Sequence, residues 1–139
     1  MEIADVKRQV LDTIDRAKRR AVSRRARVDE VTKVYAAFLD RTAIPVFRQI
    51  ANVLRAEKYL FTVATPGGSV RLMSDRDAED YIELALDVSG DDPGVVIHTK
   101  RSRGRRVLDS ERVIGDPSSL TEADVLVAAL KELELFVDR

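Results

Sequence analysis

DYIELALDVSG, residues 80–90, alternates apolar and polar side chains more regularly than any other stretch of the chain. Ile82, Leu84, Leu86 and Val88 point one way, and Tyr81, Glu83, Ala85 and Asp87 the other. A period of two with a single apolar face marks a half-buried strand of an antiparallel sheet. The segments on either side extend the pattern. YLFTVAT (59–65) is rich in aromatic and β-branched residues, TPGGS (65–69) supplies a turn, and SVRLMS (69–74) returns as a second strand. SDRDAE (74–79) is a polar connection. Beyond the DDPG turn, PGVVIHTKR and RRVLDSERVIG pair around Arg103-Gly104. No loop is long enough for a crossover, so the spacing predicts a five-stranded antiparallel meander.

Helices flank it. Residues 1–44 contain neither Gly nor Pro and read as one helix, about 60 Å long at 1.5 Å per residue. Pro45 disfavours helical geometry at Ile44, so a bend or restart is expected near residue 43. The next helix, 45–58, places Val46, Phe47, Ile50, Val53 and Leu54 on one face. Thr121 and Asp124 open a last helix, 120–137, in the manner of a capping box. Its apolar stripe is Leu126, Leu130, Leu133 and Val137, widened by Val125, Ala129 and Phe136. The expected class is α+β: a long N-terminal helix, a second helix, the meander, and a C-terminal helix packed on the sheet. Two units are expected, a projecting helix over 1–43 that serves oligomerisation or partner binding, and a compact α+β domain over 44–139.

The projecting helix carries a heptad pattern. Ile3, Val10, Ala17, Arg24, Val31 and Phe38 recur every seven residues, with Lys7, Ile14, Ala21, Val28 and Tyr35 interleaved. Lys7 and Arg24 are its faults. The expected interface, facing a second copy or a protein partner in a coiled coil, is Val10, Ile14, Ala17, Ala21, Val28, Val31, Tyr35 and Phe38. An ordinary amphipathic helix lying across the sheet is the alternative.

Charge is distributed unevenly. The chain has no formal net charge, yet residues 1–58 carry 14 basic and 8 acidic side chains, and 59–139 carry 10 and 16. RAKRRAVSRRAR, residues 16–27, gathers Arg16, Lys18, Arg19, Arg20, Arg24, Arg25 and Arg27 without an acid. Both flanks of the heptad seam are positive there, so two copies crossing at this midpoint repel. A staggered antiparallel pair brings Asp12, Asp15, Asp29 and Glu30 opposite the cluster. A second basic patch, Lys100, Arg101, Arg103, Arg105 and Arg106, sits at the last hairpin. Guanidinium groups suit phosphate, so a nucleic-acid-associated protein using both patches is the alternative function. A pI near 6.6 and few aromatics count against it.

Motifs for chemistry are sparse. Without cysteine there is no disulfide, thiolate metal site or cysteine nucleophile. His98 is the sole histidine. An enzyme would have to use His98, Glu83 or Asp87 as acid–base groups in a pocket between sheet and helices. Asp75, Asp77, Glu79 and Asp80 offer oxygen ligands, but DRDAED lacks the glycine and final glutamate of an EF-hand loop. A strand, not a helix, follows TPGGS, which therefore reads as a turn and not a phosphate loop. No catalytic residue, cofactor, metal or small-molecule substrate is expected. MEIADVKRQV has early acids and no long apolar run, so no signal peptide is expected, and no stretch approaches a membrane span. The leading expectation is a cytoplasmic, non-enzymatic interaction or adaptor protein that forms homo-oligomers or binds a protein partner through its first helix.

Overall fold

The computed structural model describes residues 1–137. Its elements are α1 (Ile3–Phe38), a π-helical turn (Leu39–Ala43), α2 (Ile44–Ala56), β1 (Phe61–Ala64), β2 (Val70–Ser74), β3 (Tyr81–Asp87), β4 (Gly94–Arg103), β5 (Arg106–Gly115) and α3 (Glu122–Val137). The strands form one antiparallel sheet in chain order, β1-β2-β3-β4-β5. This is the expected α+β arrangement of a long N-terminal helix, a meander and a C-terminal helix.

Local chemistry explains the turns. Gly68, between β1 and β2, has a φ of 76°, and Gly104, between β4 and β5, has 63°. Glycine enters this left-handed region without a steric penalty. Gly104 is the first central residue of a two-residue hairpin loop, where a positive φ matches the twist of the strands. Thr121 and Asp124 cap α3 reciprocally. The Thr121 N–H donates to Asp124 Oδ2 at 2.9 Å, and the Asp124 N–H to Thr121 Oγ1 at 3.2 Å.

The core lies on one face of the sheet. Phe61, Val70, Leu72, Ile82, Leu84, Val95 and Ile97 project from the strands towards Phe38, Val46, Phe47, Ile50 and Leu54, and towards Val125, Ala129, Leu133 and Phe136. Tyr35, Phe38, Leu39 and Ala43 are buried in the same core, so it begins at the C-terminal end of α1.

Three expectations are sharpened or corrected. The bend or restart expected near residue 43 is one π-helical turn, Leu39–Ala43, through which the helix continues. Ile44 keeps helical angles, φ −60° and ψ −48°, and its N–H reaches back five residues to Leu39 O. That wider turn makes room for the Pro45 ring, which an α-turn would press against the carbonyl of Arg41. Helix therefore runs from Ile3 to Ala56, about 80 Å. Secondly, Val53 is exposed on α2. Thirdly, the buried stripe of α3 is Val125, Ala128, Ala129, Glu132, Leu133 and Phe136, while Leu126 and Leu130 are exposed. The small side chains of Ala128 and Ala129 allow close approach. Arg112 Nε and Thr99 Oγ1 donate to the two carboxylate oxygens of Glu132 and draw it inward.

Burial along the long helix sets its energetics. Phe47 is fully buried, whereas Val22 is 64% exposed. Phe47→Ala is expected to destabilise the fold by about 3–5 kcal/mol, and Val22→Ala by less than about 0.5 kcal/mol. Urea denaturation followed by circular dichroism measures both.

Candidate functional site

The projecting rod is the first candidate. Every residue from Met1 to Arg27 except Asp5 is exposed. The last hydrogen bond from the helix to the body is made by Arg24, whose Nη2 donates to Ser89 O at 3.2 Å and Gly90 O at 3.4 Å, in the β3–β4 turn. The expected interface residues therefore divide. Tyr35 and Phe38 are buried, and Val28 and Val31 are half-buried. Val10 and Ile14 stand 51% and 45% exposed, with Ala17 and Ala21 also exposed. One continuous stripe is thus spent on the chain's own body at one end and left open at the other. Tyr35 anchors the junction. Its hydroxyl donates to Gly68 O at 2.6 Å, and burial, reinforced by the Glu83 carboxylate, pushes its phenol well above the ordinary range.

The basic segment sits on the open half. Arg19 pairs with Asp15 at 3.1 Å, and Arg16 donates to Thr13 Oγ1 at 3.4 Å. Among the described residues no ion pair involves Arg16, Lys18, Arg20, Arg24, Arg25 or Arg27. Asp91 lines the same shallow depression as Arg19, Arg20 and Arg24, without reaching ion-pair distance. In the second patch Lys100 is tied to Glu79 at 2.7 Å, a contact that raises the pKa of its ammonium. Arg101, Arg103, Arg105 and Arg106 form no ion pair among the described residues. The two patches do not meet. Arg24 contacts the turn that precedes β4, and Arg103–Arg106 closes its far end, ten residues or about 33 Å away.

The acids of the 74–80 connection have partners of their own. Asp75 accepts from Thr62 Oγ1 at 2.6 Å, Asp77 from the Glu79 N–H at 2.9 Å, and Asp80 from the Ser102 N–H at 2.7 Å.

Sequence reasoning did not find the ladder on the sheet face opposite α2 and α3. Cross-strand register aligns Arg71, Glu83, His98 and Glu111 in one row over β2 to β5. Arg71 pairs with Glu83 at 2.6 Å and lies 3.9 Å over the Tyr81 ring centroid. Tyr81 meets the His98 ring edge-on at 5.6 Å, and His98 Nε2 bonds the Asp109 carboxylate. His98 and Glu83 thus lie outside the space between sheet and helices. Asp87 is engaged in the β3–β4 turn, where the Ser89 hydroxyl and N–H hold its carboxyl below the usual range. Paired charges of this kind clamp neighbouring strands together. Strand alternation places these residues on one face, but their row depends on register.

An apolar groove of about 480 Å³ runs between α2 and α3. Ile50, Leu54 and Leu133 form its floor, and the exposed Val53, Leu126 and Leu130 its walls. No helix among the described residues is long and apolar enough to cross a membrane. No protein-family model, curated protein or solved structure matches the chain.

Two predictions follow from the ion pairs and caps. Arg112→Leu strands the buried Glu132 carboxylate and is expected to cost about 2–3 kcal/mol, whereas Arg112→Leu with Glu132→Leu recovers most of the loss, read by denaturant titration. Hydrogen bonds from Ser118 hold the Asp116 carboxyl low, and those from Thr121 do the same for Asp124. Both carboxyls bind protons more weakly in the fold than in the unfolded chain. Their contribution is complete above the ordinary value of 3.8 and is lost as pH falls below it. Melting temperatures of Asp116→Asn with Asp124→Asn should therefore depend less on pH than the parent's over the acid limb below about pH 4.

Proposed function

We propose that this chain is a non-enzymatic interaction protein that self-associates through the N-terminal half of α1. The observation carrying the reading is the apolar stripe of Ile3, Val10 and Ile14, exposed on a helix that has left its own body. An isolated amphipathic helix in water gains little from propensity alone, and its stability comes chiefly from covering its apolar face. A rod about 30 Å long, residues 3–23, meets that condition when a second surface covers it. Small Ala17 and Ala21 permit close approach of that surface.

The arginine segment shapes the partnership. Copies crossing at residues 16–27 would set like charges against each other, so pairing is offset from that point. Both a second copy and a partner with an acidic surface satisfy this, and self-association is the version to test first. At tens of micromolar, light scattering is expected to give at least twice the chain mass of 15.6 kDa. Val10→Arg with Ile14→Arg is expected to return the mass to a monomer while leaving the circular dichroism spectrum unchanged. A monomeric parent would end the self-association reading.

One observation favours a second reading, namely the unpaired arginines of the rod. A polyanion such as nucleic acid would engage this patch alone, because the hairpin patch lies at the other end of the sheet. This reading predicts retention on DNA or RNA at low salt that weakens steeply as salt rises, and that is lost in Arg19→Glu with Arg20→Glu, Arg24→Glu and Arg25→Glu. No retention at low salt eliminates it.

A further inference from the structure

We infer that the groove between α2 and α3 receives the N-terminal half of α1 from a second copy. The inference rests on the self-association just proposed and adds the receiving surface.

Shape favours this match. The exposed stripe of the rod runs from Ile3 to Ile14, and the groove wall on α3 from Glu122 to Leu133. Each covers eleven helical steps, about 17 Å. The groove exposes Val53, Leu126 and Leu130, which its own chain leaves uncovered. A third helix laid between two neighbours buries its apolar stripe against both.

Charge favours the same match and sets a direction. Residues 1–27 carry nine basic and four acidic side chains, whereas α3 carries four acids against Lys131 alone. Beyond Ile14 the rod becomes basic, with Arg16, Lys18, Arg19 and Arg20. The first turn of α3 is acidic, with Glu122 and Asp124. An antiparallel seat brings these two ends together. It also opposes the two helix dipoles. A parallel seat would bring the arginines to the other end of α3, where Glu132 is buried and already paired with Arg112 and Glu134 is the one acid of α3 left. Rod-on-rod pairing meets this charge match only in a stagger that sets Asp12, Asp15, Asp29 and Glu30 against the arginines.

Every copy holds one rod and one groove. Two copies that exchange rods reciprocally close a symmetric dimer, and unreciprocated docking propagates into longer assemblies.

The test compares a rod variant, Val10→Arg with Ile14→Arg, with a groove variant, Leu126→Lys with Leu130→Lys. All four sites are exposed, so the fold is expected to persist, with circular dichroism melts as the check. Both variants should weaken association at least about 100-fold by light scattering across a dilution series. Mixed together, they retain one good rod and one good groove and should form heteromers. Since the chain has no cysteine, cross-linking is unambiguous. Ile14→Cys on one copy and Ala123→Cys on another should oxidise to a disulfide, and Ile14→Cys with the likewise exposed Leu130→Cys, about 10 Å further along α3, should not. If the rod variant is monomeric but the groove variant associates like the parent, the groove assignment is overturned and self-association stands. A rod variant that associates as the parent does overturns self-association itself. Cross-linking through Leu130→Cys in place of Ala123→Cys overturns the antiparallel seat.

Discussion

A mismatch of lengths governs this molecule. The helix from Ile3 to Ala56 is about 80 Å long, and the longest strands, of ten residues, reach about 33 Å. A sheet can cover only as much helix as it is long. The buried run from Tyr35 to Leu54 measures about 29 Å, close to that limit. The remainder of the helix has to project, whatever its side chains. The side chains decide whether the projecting part is inert, and here it keeps an apolar stripe.

The stripe changes character where the cover ends. Inside, it is built from Tyr35, Phe38 and Phe47, bulky residues that fill the space above the strands. Outside, it is built from Val, Ile and Ala, with arginines on both flanks. The junction is fastened at two points on the same edge of the sheet, Tyr35 on the β1–β2 turn and Arg24 on the β3–β4 turn. Both side chains donate to backbone carbonyls of turns. These bonds tie the rod's exit to two turns at the same end of the sheet, each closed by the strands on either side. Arg24, a fault in the heptad seam, therefore has a local use. It occupies the position where the helix passes from contact with its own chain to open solvent.

Much of the fold was legible because its signals are local. The alternation from Tyr81 to Val88, the glycines at 68 and 104, and the capping pair Thr121–Asp124 each depend on neighbours in sequence, and they predict the meander and its closing helix. What was not legible depends on packing between distant segments. Pro45 reads as a bend or restart, but tertiary burial of Ala43, Val46 and Phe47 on both sides keeps the helix going, and one π turn absorbs the ring. Leu126 and Leu130 look like the core stripe of α3, yet Arg112 and Thr99 pull Glu132 inward and turn those leucines out. The candidate groove stayed hidden for that reason. The charged row from Arg71 to Glu111 needs three registers at once, none of which is written in a single strand. That the two basic patches stand at opposite ends of β4 likewise follows from where the rod exits, a tertiary fact.

The outward turn of Leu126 and Leu130 carries a consequence for assembly. A soluble surface exposes apolar residues singly without meaning, but a contiguous set beside a groove is a different case. Here two such sets exist, one on the rod and one on the helical layer, and they differ in charge while agreeing in length. If either stood alone, any apolar partner would serve. On the docking proposed above, their coexistence on one chain narrows the choice, because the basic rod of one copy would find its complement in the acidic α3 of another. The arginines then contribute less to affinity than to selection. In that proposal they disfavour rods that cross at residues 16–27 and favour the groove of another copy as the place where the apolar stripe is covered without opposing like charges.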